Sequence, residues 1–161
     1  MGTPKGLLTI GGEPLLTRLI RQGREAGLEP VLVGRADDYA HLAPEVPRIA
    51  DALDDAGPIG GLAALIGTPF VAIACDMPHL TSDDLNRLAR DPRDAEVVAA
   101  RRDDWEPLFA RYAPSVRPRF DAYLQTGRRS LRGLLDRCEV VELAIDPAHL
   151  RDWDSPDDRV P

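Results

Sequence analysis

A carboxylate follows an apolar run near the middle of the chain. Residues 70–75 are apolar, Asp76 comes next, and Pro78 then removes a backbone donor, so a strand has to stop there. Such a run can be buried on both faces of a parallel sheet, which leaves Asp76 at the carboxyl edge. Ligands of open α/β sheets bind at that edge, and a carboxylate there can hold Mg²⁺ against a phosphate. The alternative is that Asp76 only caps the following turn.

Lys5 is the only lysine among 20 basic residues, which makes it a second candidate for chemistry. The chain has a net charge of −7 and a pI near 4.9, values that argue against electrostatically driven binding to nucleic acid or to an anionic membrane. An anionic small molecule would therefore need local positive groups. The alternative for Lys5 is a solvated side chain at a frayed terminus.

The two cysteines, Cys75 and Cys138, are isolated in the sequence and have no metal-ligand spacing, so neither a disulfide framework nor a zinc site is indicated. We see no export signal and no apolar run of the roughly 20 residues that a membrane span requires. The expectation is a soluble protein of the reducing cytoplasm.

Helical and strand patterns alternate along the 161 residues, which have the size of one globular domain. This alternation predicts an α/β fold with a mostly parallel sheet and right-handed crossovers. A glycine-rich break at 57–61 precedes the second helix. A further short helix is expected in the tail after Ser155. The other predicted helices cover 13–27, 62–66, 81–90, 116–124 and 131–137, and the predicted strands cover 31–33, 47–50, 70–75, 95–100, 105–112 and 140–143.

No strand is predicted before the first helix, although doubly wound sheets usually begin with a central strand. Without that strand the sheet should contain a gap between its neighbours, with ladder groups left unpaired. We therefore expect the native start to lie upstream by one strand and a loop, on the order of 15 residues.

Several separated segments together resemble the molybdenum cofactor guanylyltransferase family. Their order and spacing carry the resemblance, since a single glycine-rich turn or Asp-Met-Pro is weak evidence. Trp105-Glu-Pro-Leu-Phe-Ala-Arg-Tyr112 and Tyr123-Leu-Gln-Thr-Gly127 extend it over nearly the whole chain. The principal segments are Met1-Gly-x-x-Lys5-x-Leu-Leu8, Asp51-x-x-x-Asp55-x-Gly-Pro-x-x-Gly61, Cys75-Asp-Met-Pro78 and Asp154-Ser-Pro-Asp-Asp158.

The resemblance implies a Rossmann-like, three-layer nucleotidyltransferase that uses GTP and Mg²⁺ to attach GMP to the phosphate of molybdopterin. It implies that Asp76 and Lys5 are catalytic, with Asp76 holding Mg²⁺ at the α-phosphate and Lys5 contacting the triphosphate. Asp154 is implied as a second metal ligand, or else as part of an ordinary helix start. Molybdoenzymes or their chaperones are possible partners.

The resemblance also implies that the nucleotide borders a turn formed by Gly57, Pro58, Gly60 and Gly61, whose missing side chains allow close approach. The alternative is a tight strand-to-helix connection. Asp51 is implied to lie near the nucleotide, or else it caps a turn.

Asp55 could equally be a solvated loop acid. Glu106 and the pair Arg128-Arg129 are weaker candidates for the border of the molybdopterin phosphate.

Two other functions stay open at this point. A cytidylyltransferase for the same cofactor shares the lysine and the Asp-x-Pro pattern. A non-catalytic relative that binds molybdopterin or a nucleotide is the second, because the family's loop Leu-Ala-Gly-Gly-x-Ser-x-Arg, which holds the triphosphate and guanine, precedes Met-Gly and does not occur in this sequence.

Overall fold

The computed structural model describes residues 5–34, 39 and 41–153. A 3₁₀ turn at Lys5–Leu7 precedes the first strand, and others lie at Pro114–Val116 and Pro147–Leu150. The α-helices are α1 (Leu15–Glu25), α2 (Pro58–Ala63), α3 (Ser82–Ala89), α4 (Arg117–Gln125) and α5 (Leu131–Leu135). The strands are β1 (Thr9–Ile10), β2 (Glu13–Pro14), β3 (Leu32–Val33), β4 (Arg48–Ile49), β5 (Phe70–Ile73), β6 (Val97–Arg101), β7 (Trp105–Tyr112) and β8 (Val140–Glu142).

The predicted α/β class is confirmed, and the sheet is mixed rather than mostly parallel. β7 is antiparallel to both of its neighbours, β5 and β6, while β6 pairs in parallel with β8 and β3 in parallel with β4. Only three residues separate β6 from β7, and a connection that short can only form a hairpin. The patterns of apolar residues do not encode strand direction, which explains the difference.

The central strand β6 separates two helical layers. Val97 and Ala99 belong to a core that packs with α2, α4 and α5, whereas Val98 and Ala100 belong to a core that packs with α1 and α3. Successive side chains of a strand point to opposite faces, so an apolar run that is buried throughout places this strand inside a three-layer sandwich. The three-layer expectation is therefore met.

Local sequence signals explain where several elements begin. The Thr81 hydroxyl caps α3 by accepting a hydrogen bond from the Asp84 amide, and the Thr81 amide donates to the Asp84 carboxylate, which completes a capping box. α1 begins at Leu15 rather than at Glu13, because Glu13–Pro14 pairs with β1 across a turn at Gly11 and Gly12. α2 begins at Pro58, earlier than the predicted 62, so the glycine-rich segment is itself the first part of the helix.

The sheet is divided into two parts along its length. β3 and β4 form a two-stranded sheet, and β5, β7, β6 and β8 form a four-stranded sheet in that order. Among the described residues no strand joins β3 to β5. Within the same residues, no helix is long and apolar enough to cross a membrane. The helix expected after Ser155 lies outside the described part of the chain.

Candidate functional site

Lys5 and Asp76 form an ion pair at the carboxyl end of β5. The Lys5 ammonium lies 2.7 Å from Asp76 Oδ2, and the two side chains are 43% and 19% exposed. The 3₁₀ turn at Lys5–Leu7 presents the lysine, and a turn that directly follows β5 presents the aspartate. The structure therefore brings together the two residues that were predicted to be catalytic, at the edge of the sheet where ligands of α/β proteins bind.

A cavity of about 400 Å³ reaches Cys75, the residue that precedes Asp76 in the chain, although neither Lys5 nor Asp76 lines it. β3 and β5 contribute residues to two of its walls, and the start of α2 contributes to a third. Asp51, Tyr39 and Cys75 lie around the cavity and supply polar side chains to a surface that is otherwise mainly apolar. A pocket of this size with few polar groups suits a small organic ligand such as a nucleotide base.

Asp51 follows β4 by two residues and is packed between two glycines. Its Oδ1 atom lies 3.2 Å from the position of a Cβ on Gly34 and 3.1 Å from that of a Cβ on Gly61. Gly34 also has a φ of +87°, which a residue with a side chain rarely adopts. The two glycines therefore create the space that the Asp51 carboxylate occupies at the cavity.

The four predicted residues of the glycine-rich turn have different positions. Gly57, Pro58 and Gly61 line the cavity. Gly60 packs instead against the preceding loop, where a Cβ would come within 2.5 Å of the Leu53 carbonyl oxygen. This tight packing by itself explains a glycine at position 60, and the predicted contact of Gly60 with a nucleotide remains a prediction.

Cys75 lines the cavity, as Asp51 does, whereas Asp55 is a loop residue that does not line it. Burial raises the pKa of the Cys75 thiol, and the neighbouring Asp76 charge raises it further, so the thiol is a poor nucleophile. Asp55 is exposed and has a φ of +51°, consistent with the loop acid proposed as its alternative.

A second acidic region lies near the pair. Glu106 in β7 is only 7% exposed, and burial together with the charge of Asp152 raises the pKa of its carboxyl group. The amide of Trp153 donates a hydrogen bond to the carbonyl oxygen of Asp76 at 3.0 Å, which holds the segment 152–153 against the turn after β5. Residues 152–153 are thereby held next to the Lys5–Asp76 pair.

The structure does not bring the predicted pair Arg128-Arg129 into contact with Lys5 and Asp76, and Asp154 lies outside the described residues. Arg129 donates to the carbonyl oxygens of Leu124 and Arg128, and both arginines are exposed after α4. Across the described part of the chain, no group of three or more His, Cys, Asp or Glu side chains could hold a metal ion by itself.

Sequence reasoning missed three contributors to the cavity and its surroundings. Tyr39 packs over Gly6, where a Cβ would lie 2.9 Å from its ring, and Gly34 makes room for Asp51. The charge of Asp152 raises the pKa of the Glu106 carboxyl, whereas the sequence argument singled out Asp154 in this segment. Gly34 had a usable signal, a glycine directly after a predicted strand, whereas nothing near Tyr39 in the sequence marks it.

The fold is a layered α/β fold, with a lysine–carboxylate pair at the carboxyl end of β5 and a glycine-lined cavity nearby, which is the arrangement of an α/β protein that binds its ligand at the sheet edge. Residues 1–142 match the family described as the MobA-like NTP transferase domain, and the chain belongs to that family.

Curated relatives support this membership over most of their length. A probable molybdenum cofactor guanylyltransferase of Opitutus terrae is 32% identical over an alignment of 176 residues, which covers 99% of this chain and 86% of the relative. A molybdenum cofactor guanylyltransferase of Xanthomonas euvesicatoria pv. vesicatoria is 35% identical over 142 residues, covering 83% and 70%.

Solved structures share the fold. Molybdopterin-guanine dinucleotide biosynthesis protein A from Archaeoglobus fulgidus superposes with a TM-score of 0.78 at 23% identity and covers 98% of this chain and 87% of its own. A nucleotidyl transferase from Methanothermobacter has a TM-score of 0.71 at 20% identity, covering 96% and 81%. At these identities the superpositions show the fold alone.

Proposed function

We propose that this protein transfers GMP from GTP to molybdopterin, as a molybdenum cofactor guanylyltransferase. The observation that carries the proposal is the Lys5–Asp76 pair at the carboxyl end of β5, one residue beyond Cys75 of a cavity that Asp51 also lines. Membership of the NTP transferase family supports the reaction type, and the names of the curated relatives support guanylyl transfer. Pyrophosphate is the leaving group when a phosphate oxygen of molybdopterin attacks the α-phosphorus of GTP.

Lys5 is proposed to bind the triphosphate. A phosphoryl transfer of this kind builds negative charge on the phosphate oxygens and on the leaving pyrophosphate, so catalysis depends on cations and on positioning. The Lys5 ammonium is compact, 43% exposed and held at a fixed place by Asp76, so phosphate oxygens can reach it with little rearrangement.

Asp51, together with Gly57, Pro58 and Gly61, is proposed to border the base or ribose. The Asp51 carboxylate offers acceptors for N–H or O–H donors, and the glycines leave the ligand room to approach the main chain. Gly60 belongs to the same turn and supports it by packing on Leu53.

Asp76 fits a Mg²⁺ ion that is shared with the substrate. Mg²⁺ commonly uses one or two protein carboxylates and completes its shell with phosphate oxygens and water, so a single carboxylate at the sheet edge is a sufficient protein contribution. The bound ion would polarise the phosphate oxygens. Asp154 is proposed as a second ligand, from its place in the sequence only.

The test is GTP-dependent formation of molybdopterin guanine dinucleotide from purified molybdopterin, with pyrophosphate release measured in parallel. Asp76→Ala should lower turnover roughly 100-fold, a typical cost of removing one charge-stabilising contact. Asp121→Ala, an exposed carboxylate on α4, is the matched control and should keep normal turnover. Unchanged turnover in Asp76→Ala would exclude the proposed metal role.

Two alternatives are separated by the same assay. Titrating CTP against GTP distinguishes a cytidylyltransferase, which would prefer CTP. A non-catalytic relative would bind GTP or molybdopterin, as measured by calorimetry, and release no pyrophosphate. We place the reaction in the cytoplasm, with molybdoenzymes or their chaperones receiving the product; co-purification with a molybdoenzyme would test that assignment.

A further inference from the structure

Two hydrogen bonds tie the last described residues to the stretch 76–84. The amide of Trp153 donates to the carbonyl oxygen of Asp76 at 3.0 Å, and His149 Nδ1 lies 2.9 Å from Asp84 Oδ2. Asp84 belongs to the first turn of α3, so one of the two bonds lies at each end of this stretch. These two hydrogen bonds together form a clamp between the segments.

The segments that the clamp joins also share an apolar core. Apolar contact is not directional, so it holds two segments together without fixing the position of one along the other. Hydrogen bonds depend on distance and angle, and the two bonds of the clamp therefore fix that position. The buried apolar residues of the two segments, which belong to one core cluster, are Met77, Leu80 and Leu150.

Asp84 is a well-held anchor for the histidine. Its side chain is 5% exposed, and Oδ2 also accepts hydrogen bonds from the Thr81 amide at 3.0 Å and from the Thr81 hydroxyl at 2.7 Å. The N-terminus of α3 favours a negative charge at this place. A carboxylate is only an acceptor, so the hydrogen of the third contact belongs to His149 Nδ1. Because Thr81 supplies donors of its own, the carboxylate keeps its place when the histidine is replaced.

The other end of the clamp holds a main-chain group beyond the end of β5. The strand ends at Ile73, and the Ala74 amide still donates to the Leu108 carbonyl oxygen of β7. Asp76 lies in the turn that follows, where the Trp153 amide holds its carbonyl group. The carboxylate of Asp76 is attached to the same residue, so its direction depends on how that main chain is oriented.

We propose that His149 is a positioning residue for Asp76. Its bond to Asp84 fixes the 3₁₀ turn Pro147–Leu150 against α3. The turn in this position brings the Trp153 amide to the Asp76 carbonyl oxygen, and the Asp76 carboxylate is thereby aimed. The effect on turnover rests on the proposed function, in which this carboxylate holds a metal ion. A displacement of about 1 Å at a reacting centre can lower a rate roughly 100-fold, so a contact remote from the chemistry can control it.

The first experiment measures amide hydrogen exchange and needs no substrate. His149→Leu and the smaller His149→Ala both remove the Nδ1 donor, and the ring is 34% exposed, so neither change overpacks the core. The Trp153 amide should exchange roughly tenfold faster in both variants, the factor expected for a lost hydrogen bond to a charged group. If one variant does not fold, the other gives the result.

Thr81→Ala is the matched control for the exchange experiment. It removes a hydroxyl that contacts the same Asp84 carboxylate, and it leaves the His149 contact in place. Local release of Trp153 should therefore be unchanged in Thr81→Ala. A loss of overall stability alone would speed exchange of Trp153 in the Thr81 and His149 variants alike. Equal exchange in the two kinds of variant, or native exchange in His149→Leu, would overturn the proposal.

The second experiment measures turnover with GTP and molybdopterin at several Mg²⁺ concentrations. His149→Leu should lower kcat roughly tenfold, since a misaligned carboxylate acts in the reaction step. The KM for GTP should change less than about twofold, because Asp51 and the glycine-rich turn lie at the cavity and not at the clamp. Half-maximal turnover should need more Mg²⁺ than in the native chain. Thr81→Ala should keep the native kcat.

A conservative variant tests the hydrogen bond itself. In His149→Asn the side-chain amide places a donor close to the position of Nδ1, so this variant should recover most of the native kcat and the slow exchange of Trp153. If His149→Asn loses as much as His149→Leu, the hydrogen bond to Asp84 does not position Asp76 and the proposal fails.

Failure of the proposed function and failure of this inference give different results. A native chain without GTP-dependent turnover would exclude the proposed function, and exchange of the Trp153 amide would still decide whether His149 holds the main chain of Asp76. A native chain that is active, with His149→Leu equally active, would leave the proposed function standing and would exclude the positioning role.

Discussion

Lys5 Nζ and Asp76 Oδ2 lie 2.7 Å apart although 71 positions separate the two residues in the sequence. The fold therefore places a cation and a carboxylate at one edge of the sheet, where they neutralise each other in the free protein. If phosphate binds there, both the lysine and the carboxylate contact the substrate, and the two charged groups have different roles. In the proposed function, the lysine would attract the triphosphate, and the carboxylate would then be left to hold a metal ion.

Lys5→Gln should reduce turnover with GTP roughly 100-fold, because a neutral amide cannot stabilise the charge that develops on the phosphates. The unfolding free energy should change by less than about 1 kcal/mol, since the ion pair is partly exposed to solvent. Steady-state kinetics and urea unfolding measure the two effects. Arg24→Gln, which removes an exposed charge paired with Glu45, is the control and should leave turnover unchanged.

Gly61→Ala should raise the KM for GTP. The added Cβ would lie 2.9 Å from Val33 Cγ1 and 3.1 Å from Asp51 Oδ1, so the carboxylate at the cavity has to move. We expect a loss of stability of about 1–3 kcal/mol from overpacking as well. Gly23→Ala in α1 is the matched control, because its Cβ meets only Pro30 Cγ at 3.7 Å and alanine favours the helix. An unchanged KM in Gly61→Ala would argue against Asp51 as a ligand-binding group.

Much of the fold could be predicted because burial leaves a periodic trace in the sequence. β7 has the predicted bounds 105–112 despite Pro107, and the predicted strands around β3, β4, β5, β6 and β8 all exist. The end of an apolar run located Asp76 at the sheet edge, and composition singled out Lys5. Residues whose position depends on one strand or one turn can therefore be placed from local sequence.

The parts that could not be predicted depend on contacts between distant segments. The packing of Gly60 on Leu53 follows from the path of the loop before α2. Tyr39 reaches Gly6 through the tertiary fold. No local pattern encodes these contacts, because each requires the relative position of two elements rather than the character of one.

Thr81→Ala should lower the unfolding free energy by about 1 kcal/mol, the usual value of an N-terminal cap. The variant loses the hydrogen bond from the Asp84 amide to the Thr81 hydroxyl, and Asp84 keeps its contact with His149 Nδ1 at 2.9 Å. Urea unfolding measures the change. Kinetic constants should stay the same, since the cap has no contact with the cavity, and a large increase in KM would show that α3 positions the site.

Glu106→Gln should make the free energy of unfolding less dependent on pH. Burial, with the charge of Asp152, raises the pKa of the Glu106 carboxyl above its value in the unfolded chain, so the folded protein keeps this proton to higher pH. The corresponding stability is fully present below the unfolded pKa, about 4.3, and is lost as the pH rises through the folded pKa. Urea unfolding at about pH 4 and about pH 7 should therefore show a smaller fall for Glu106→Gln than for the native chain. Glu29→Gln changes an exposed carboxylate and is the control; its unfolding free energy should fall as much as that of the native chain. An identical fall in Glu106→Gln would mean that Glu106 is ionised in the folded protein as readily as in the unfolded one.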